Sequence, residues 1–234
     1  MKYYNSDIVF QEIPDETTLA INICGCPNRC EGCHSKWLWE DVGMTLFEGT
    51  EEIPDYSGLE EVVGKYARNI SCVCFMGGDQ SPETVDLMAR RVKSLWPSLK
   101  IGWYSGRPAV PDRDESDISG TSSTTNCFGA TQDSYAKTIH YDATEIQYNS
   151  RKQRSSDGDA VIRDVPDNRK SLYEALQERL PEINIDDFDF IKLGPYIAAL
   201  GGLRSKTTNQ RIYRILDGKA EIIHIHDPHD FGQK

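Results

Sequence analysis

The 234-residue chain contains no uninterrupted run of about 18 apolar residues, so nothing in it predicts a membrane-spanning helix. Its first 13 residues are mixed and polar and lack the apolar stretch of a secretory leader. Basic residues are outnumbered, with 26 Lys and Arg against 37 Asp and Glu, for a formal net charge of −11. No basic patch or stripe interrupts that acidity, which argues against a nucleic-acid interface or adhesion to anionic lipid. Internal repeats are also lacking. These absences predict a cytoplasmic protein with neither a nucleic acid nor a membrane as partner. The hydrophobic content of 38% is enough to bury a core, and the length suits one domain, or one domain with a large insertion.

Cysteine is concentrated. Of seven cysteines, those at 24, 26, 30 and 33 fall within ten residues, and the others are at 72, 74 and 127. In a reducing compartment such a cluster reads as metal binding or redox chemistry, not as a disulfide framework.

The first half of the chain alternates strand and helix patterns. Residues 18–23 (TLAINI) form a β-prone run that leads straight into the cysteine loop. Ser57 is placed to cap a helix whose apolar face is Leu59, Val62, Val63 and Tyr66. Residues 70–76 (ISCVCFM) read as a buried parallel strand, ended by Gly77 and Gly78. Ser81 and Pro82 then open a second helix, and residues 99–104 (LKIGWY) form another strand. The order implies βαβ units and a parallel sheet, with ligand chemistry at the carboxyl ends of the strands. Residues 37–50 carry no clear pattern.

Residues 107–134 and 150–159 are rich in Ser, Thr, Asp and Gly and read as surface excursions. Regularity returns with Asn168 as a helix cap before Leu172, Leu176 and Leu180, then a strand at 188–193 (FDFIKL). A hairpin follows, with runs at 211–216 and 219–225 around Asp217–Gly218.

Within the loop, Cys26, Cys30 and Cys33 have the spacing C-x3-C-x2-C. Three thiolates can hold three corners of a [4Fe–4S] cluster and leave the fourth iron open to an outside ligand. Zinc remains an alternative, with Cys24 or His34 as the fourth ligand, although zinc sites usually pair two knuckles far apart in sequence. The turn Gly77-Gly78-Asp79 has glycines that admit a ligand close to the backbone and a carboxylate that can accept from an ammonium group. Alone it reads equally as a tight strand-to-helix turn. Its place at a strand end some 45 residues after the cysteines makes the pair more specific than either part.

Four stretches resemble the radical S-adenosylmethionine superfamily, and within it the activating proteins of anaerobic (class III) ribonucleotide reductase. They are residues 7–9 (DIV) leading to 25–35 (GCPNRCEGCHS), 76–79 (MGGD), 102–106 (GWYSG), and 192–196 (KLGPY) with 205–211 (SKTTNQR). The last is the most specific to that family. The match covers roughly residues 1–106 and 186–225. The resemblance implies an α/β fold, a partial (βα) barrel formed as a single domain over 1–234, with 107–185 as a long insertion and a C-terminal β-hairpin. It implies a [4Fe–4S] cluster on Cys26, Cys30 and Cys33, and S-adenosylmethionine held around Gly32, Cys33 and His34. Gly77, Gly78 and Asp79 would meet the amino group of its methionine moiety. It further implies that the cofactor is cleaved by one electron to a 5′-deoxyadenosyl radical. That radical would take the α-hydrogen of a glycine in the reductase large subunit, with a flavodoxin-like or ferredoxin-like protein as electron donor. Another glycyl-radical enzyme or a small molecule is the alternative substrate, and a non-catalytic iron–sulfur or zinc protein the alternative class.

The chain departs from the family pattern in three places: Gln80 stands where Pro is usual, Asp79 replaces Glu, and Cys24 is an extra thiol. His224, His226 and His229 have a metal-like spacing on what also reads as an exposed tail. Trp37 and Trp39 read equally as a cluster shield and as ordinary packing. Cys72 and Cys74 read as core, and Cys127 as a bystander.

Overall fold

The computed structural model describes residues 1–110 and 170–223, which belong to one compact unit. Cys127, His224, His226, His229, the expected cap Asn168, residues 150–159 and the end of the hairpin lie outside the described residues.

The chain opens with β1 (Lys2–Val9), β2 (Thr18–Ile23) and a 3-10 turn at Lys36–Trp39. Next come the two-residue strands β3 (Met44–Thr45), β4 (Glu48–Gly49) and β5 (Pro54–Asp55), then α1 (Ser57–Gly64) and β6 (Cys72–Met76). The rest is α2 (Pro82–Leu95), β7 (Lys100–Tyr104), α3 (Leu172–Arg179), β8 (Phe190–Leu193), β9 (Arg211–Leu216) and β10 (Lys219–Ile223). The architecture is α/β. Among the described residues, eight strands form one open sheet in the order β10-β9-β8-β7-β6-β2-β1-β3, and β4 pairs with β5 separately.

The expected parallel sheet is the middle of this mixed one. β2, β6, β7 and β8 run parallel, β1 adds antiparallel beside β2, and β9 and β10 add as an antiparallel hairpin beside β8. β1 is absent from the sequence reading because only Tyr3 along it is buried, so its pattern is that of a nearly edge strand. The Asp217–Gly218 hairpin is as expected, with φ of 49° and 68° in the primed-turn region.

Two caps differ from expectation. Ser57 does not cap α1; its N–H donates to Asp55 Oδ1 at 2.8 Å, because the preceding Asp already makes the turn. Ser81 precedes α2 and Pro82 takes the first helical position, but the Ser81 hydroxyl pairs with the Thr84 hydroxyl at 2.8 Å instead of the helix backbone. α3 is capped at Ser171, whose hydroxyl accepts from Glu174 N while the Glu174 carboxylate accepts from Ser171 N.

Alternation along the strands separates two faces. Leu19, Ile21 and Ile23, with Val73, Phe75, Ile101, Trp103, Ile191 and Leu193, face α1, α2 and α3 and form the main core with Leu59, Val85, Met88 and Leu176. Each such side chain, fully buried, contributes roughly 1.5–3 kcal/mol before entropy is counted. The opposite face carries Cys72, Cys74, Phe190 and Ile212, covered by Ile13 from the β1–β2 connection. Register then fixes a row on that face across the carboxyl ends of the parallel strands: Asn22, Met76, Tyr104 and Lys192.

The two ends of the 107–185 span are joined to each other and to the sheet. Arg107 donates to both carboxylate oxygens of Glu182 at 2.7 and 3.0 Å, the Tyr213 hydroxyl bonds the backbone N and O of Val110, and Leu176, Leu180 and Ile185 are buried in the main core. Among the described residues no helix is long and apolar enough to cross a membrane.

Candidate functional site

The four parallel strands end at one edge, and the loops that leave them build a cleft of about 180 Å³. Its floor is the row Asn22, Met76, Tyr104 and Lys192, and its wall is the cysteine loop. Cys26, Cys30 and Cys33 all line it, as do Gly77 and Asp79 from the loop after β6 and Ser105 and Gly106 from the end of β7. The cysteine loop and two residues of the Gly-Gly-Asp turn, Gly77 and Asp79, therefore line the same cleft.

Backbone hydrogen bonds hold the loop in shape. Gly25 N donates to Glu40 O and Cys26 N to Leu38 O, so the 3-10 turn folds back on the first cysteine. Cys33 N donates to Cys30 O, and Ser35 N reaches the Cys33 sulfur at 3.4 Å. All three thiols are partly exposed. Burial raises the Cys26 thiol above its ordinary range, with the Asp79 carboxylate and Cys30 adding to the effect. Metal binding at Cys26 would therefore release a proton at neutral pH.

Cys24 is separate from this set. It is buried, its Sγ–H points to Val42 O at 3.2 Å, and it does not line the cleft. Burial pushes its thiol up as well. Cys72 and Cys74 are buried in the sheet, with the Cys72 thiol pushed up to about 12 by desolvation. Among the described residues, no group of three or more His, Cys, Asp or Glu converges as a single-ion site.

Other expected positions divide. Gly78 does not line the cleft. Its φ is 94°, and a Cβ would stand 2.5 Å from Val85 Cγ2, so glycine there lets the turn seat against α2. Gly32 and His34 also lie off the cleft, but the His34 ring meets the edge of Tyr196, which lines it, at 4.5 Å. The Asp79 carboxylate is held by Ser105 Oγ, Asn28 Nδ2 and Gly106 N, at 2.6, 2.5 and 2.9 Å.

Lys192 is a site residue that the reading by sequence did not single out. It is buried, its ammonium donates to Gly194 O at 2.7 Å, and it sits over the Tyr104 ring. Burial lowers its pKa to about 8, against the opposing pull of Asp79, Cys30, Glu12 and Cys33. A lysine inside the apolar run FIKL, on the side opposite Ile191, was the available sign. The resembling segments at 192–196 and 205–211 are in direct contact: Gln210 Nε2 donates to Gly194 O, and Asn209 Nδ2 to Pro195 O. Trp39 lines the cleft with its Nε1 atom buried and without a partner among the described residues, whereas Trp37 is exposed.

The residues present fit an iron–sulfur cluster with an organic ligand beside it. Three thiols share one wall, a carboxylate and a buried ammonium offer charges of both signs, and one orphaned indole N–H offers a donor. Comparison with protein-family models, curated proteins and solved structures gives no match in any of the three.

Proposed function

We propose that the cleft holds a [4Fe–4S] cluster on Cys26, Cys30 and Cys33 with S-adenosylmethionine beside it. In this reading the fold is the partial (βα) barrel of the radical S-adenosylmethionine enzymes. The reaction is the activation of an anaerobic ribonucleotide reductase, by removal of the α-hydrogen of a glycine in its large subunit. The single observation that carries this reading is that the three thiols and the Gly77–Asp79 turn line one cleft at the ends of parallel strands.

When bound, the two groups supply a one-electron cleavage of the sulfonium and a carbon radical able to take a hydrogen atom. The chain's own residues bind and orient. The Asp79 carboxylate is fixed as an acceptor for an ammonium group, Lys192 offers a cation for a carboxylate, and Trp39 Nε1 offers a hydrogen bond to an acceptor. Ile23, Leu38 and Met76 give the same space an apolar lining. A reducing compartment, the cytoplasm, would keep the three thiols reduced, and a flavodoxin-like or ferredoxin-like protein would supply the electron.

The test is anaerobic incubation of the reconstituted protein with a cognate reductase, S-adenosylmethionine and a reductant. A glycyl-radical signal by electron spin resonance is expected. Cofactor cleavage without that signal would remove the reductase as substrate and leave another glycyl-radical enzyme or a small molecule.

A further inference from the structure

Asn28 lies between the first two cysteines of the loop, and its side chain crosses to the strand ends. Its Nδ2 donates to Asp79 Oδ2 at 2.5 Å, and the same oxygen accepts from Gly106 N at 2.9 Å. Asp79 Oδ1 accepts from Ser105 Oγ at 2.6 Å, and Ser105 Oγ accepts from Arg107 N at 3.1 Å. An ionised carboxylate has about four acceptor positions, so three donors fix its orientation and leave about one position for a ligand. The approach is close enough to dictate a neighbour. A Cβ on Gly106 would collide with Asn28 Nδ2, so the glycine makes room for the amide.

We propose that Asn28 is a positioning residue that clamps the Cys26–Cys30 span to Asp79, so that the cysteine loop and the ammonium acceptor are set as one unit. The inference rests on the reading of the cleft given above. It assigns Asn28 no contact with the cofactor. Without the amide the three thiols remain, but the carboxylate loses one of three restraints and the loop loses its tie to the strand ends.

The test compares the reconstituted full chain with Asn28→Ala, Gly106→Ala and the double variant. Two quantities are read: iron per chain, and the S-adenosylmethionine concentration that half-saturates the change in the reduced cluster's electron spin resonance spectrum. Asn28→Ala is expected to take up iron as the parent does and to need about tenfold more cofactor. Gly106→Ala is expected to show its own loss, and the double variant to be no worse than Asn28→Ala alone, because the collision is gone. Equal titrations for Asn28→Ala and the parent, or additive losses in the double variant, would overturn the clamp. If Asn28→Ala takes up no iron, Asn28→Gln decides. Recovery with the amide restored supports the role, and no recovery overturns it. If the parent itself binds no iron, the cluster reading fails, and the clamp is judged by Tm in the same cycle. Non-additive shifts keep it and additive shifts remove it.

Discussion

Six cysteines of this chain fall into two sets of three with opposite surroundings. Cys26, Cys30 and Cys33 are partly exposed on one wall of a cleft, beside a fixed carboxylate and a buried lysine. Cys24, Cys72 and Cys74 are fully buried, one against Val42 O and two in the sheet under Ile13. The distance in sequence between the sets is small, since Cys24 and Cys26 are separated by one residue. The difference comes from where the strand stops. Cys24 directly follows β2, and its N–H still donates to Lys2 O of the neighbouring strand, which keeps its thiol in the core. Gly25, at a φ of 80°, turns the chain, and Cys26 begins the loop on the other side. Proximity in sequence therefore says little about which thiols can share a ligand.

The largest expected effect breaks the symmetry between neighbours. Cys30→Ala is expected to abolish iron retention and cofactor cleavage, and Cys24→Ala to keep most of both, as read by iron content and product analysis. Loss of the cluster in Cys24→Ala would reassign the ligands.

The second sharpens the comparison by reactivity. In the iron-free native chain, iodoacetamide is expected to label Cys26, Cys30 or Cys33 at least about a hundredfold faster than Cys24, Cys72 or Cys74, because the buried thiols react only through opening of the fold. Peptide mapping over time gives the ratio.

The third concerns Lys192, the charge between the two sets. Its folded pKa, about 8, is below the ordinary 10.5. The unfolded chain thus binds more protons between those values, and the penalty for burying the ammonium is full below pH 8 and relieved as pH rises toward 10.5. In the iron-free chain, Lys192→Met is expected to be more stable than the parent at pH 7, by up to about 3 kcal/mol. The gap should narrow by pH 10 in denaturant titrations. A gap that widens with pH would contradict this assignment. The smallest effect is that of Cys74→Ala, expected to cost about 1 kcal/mol of stability and no iron.

Much of the fold was legible in the sequence because its strands obey strong local rules. The run at 70–76, the alternation in TLAINI and the Asp217–Gly218 turn each announce their own structure. β1 was not legible, since a nearly edge strand with one buried side chain has no pattern to read. The cysteine spacing and the Gly-Gly-Asp turn were visible because they are contiguous. Asn28 and Lys192 were not, because their roles depend on register and loop closure, and nothing in the sequence separates Trp39, which lines the cleft, from the exposed Trp37. The row Asn22–Met76–Tyr104–Lys192 exists only once four strands are aligned.

The most direct measurement is anaerobic reconstitution followed by iron analysis and electron spin resonance of the reduced protein, with and without S-adenosylmethionine. A brown protein with about four irons per chain is expected, whose reduced spectrum changes on adding the cofactor. A colourless protein that holds one zinc through Cys24 and the loop thiols would contradict it.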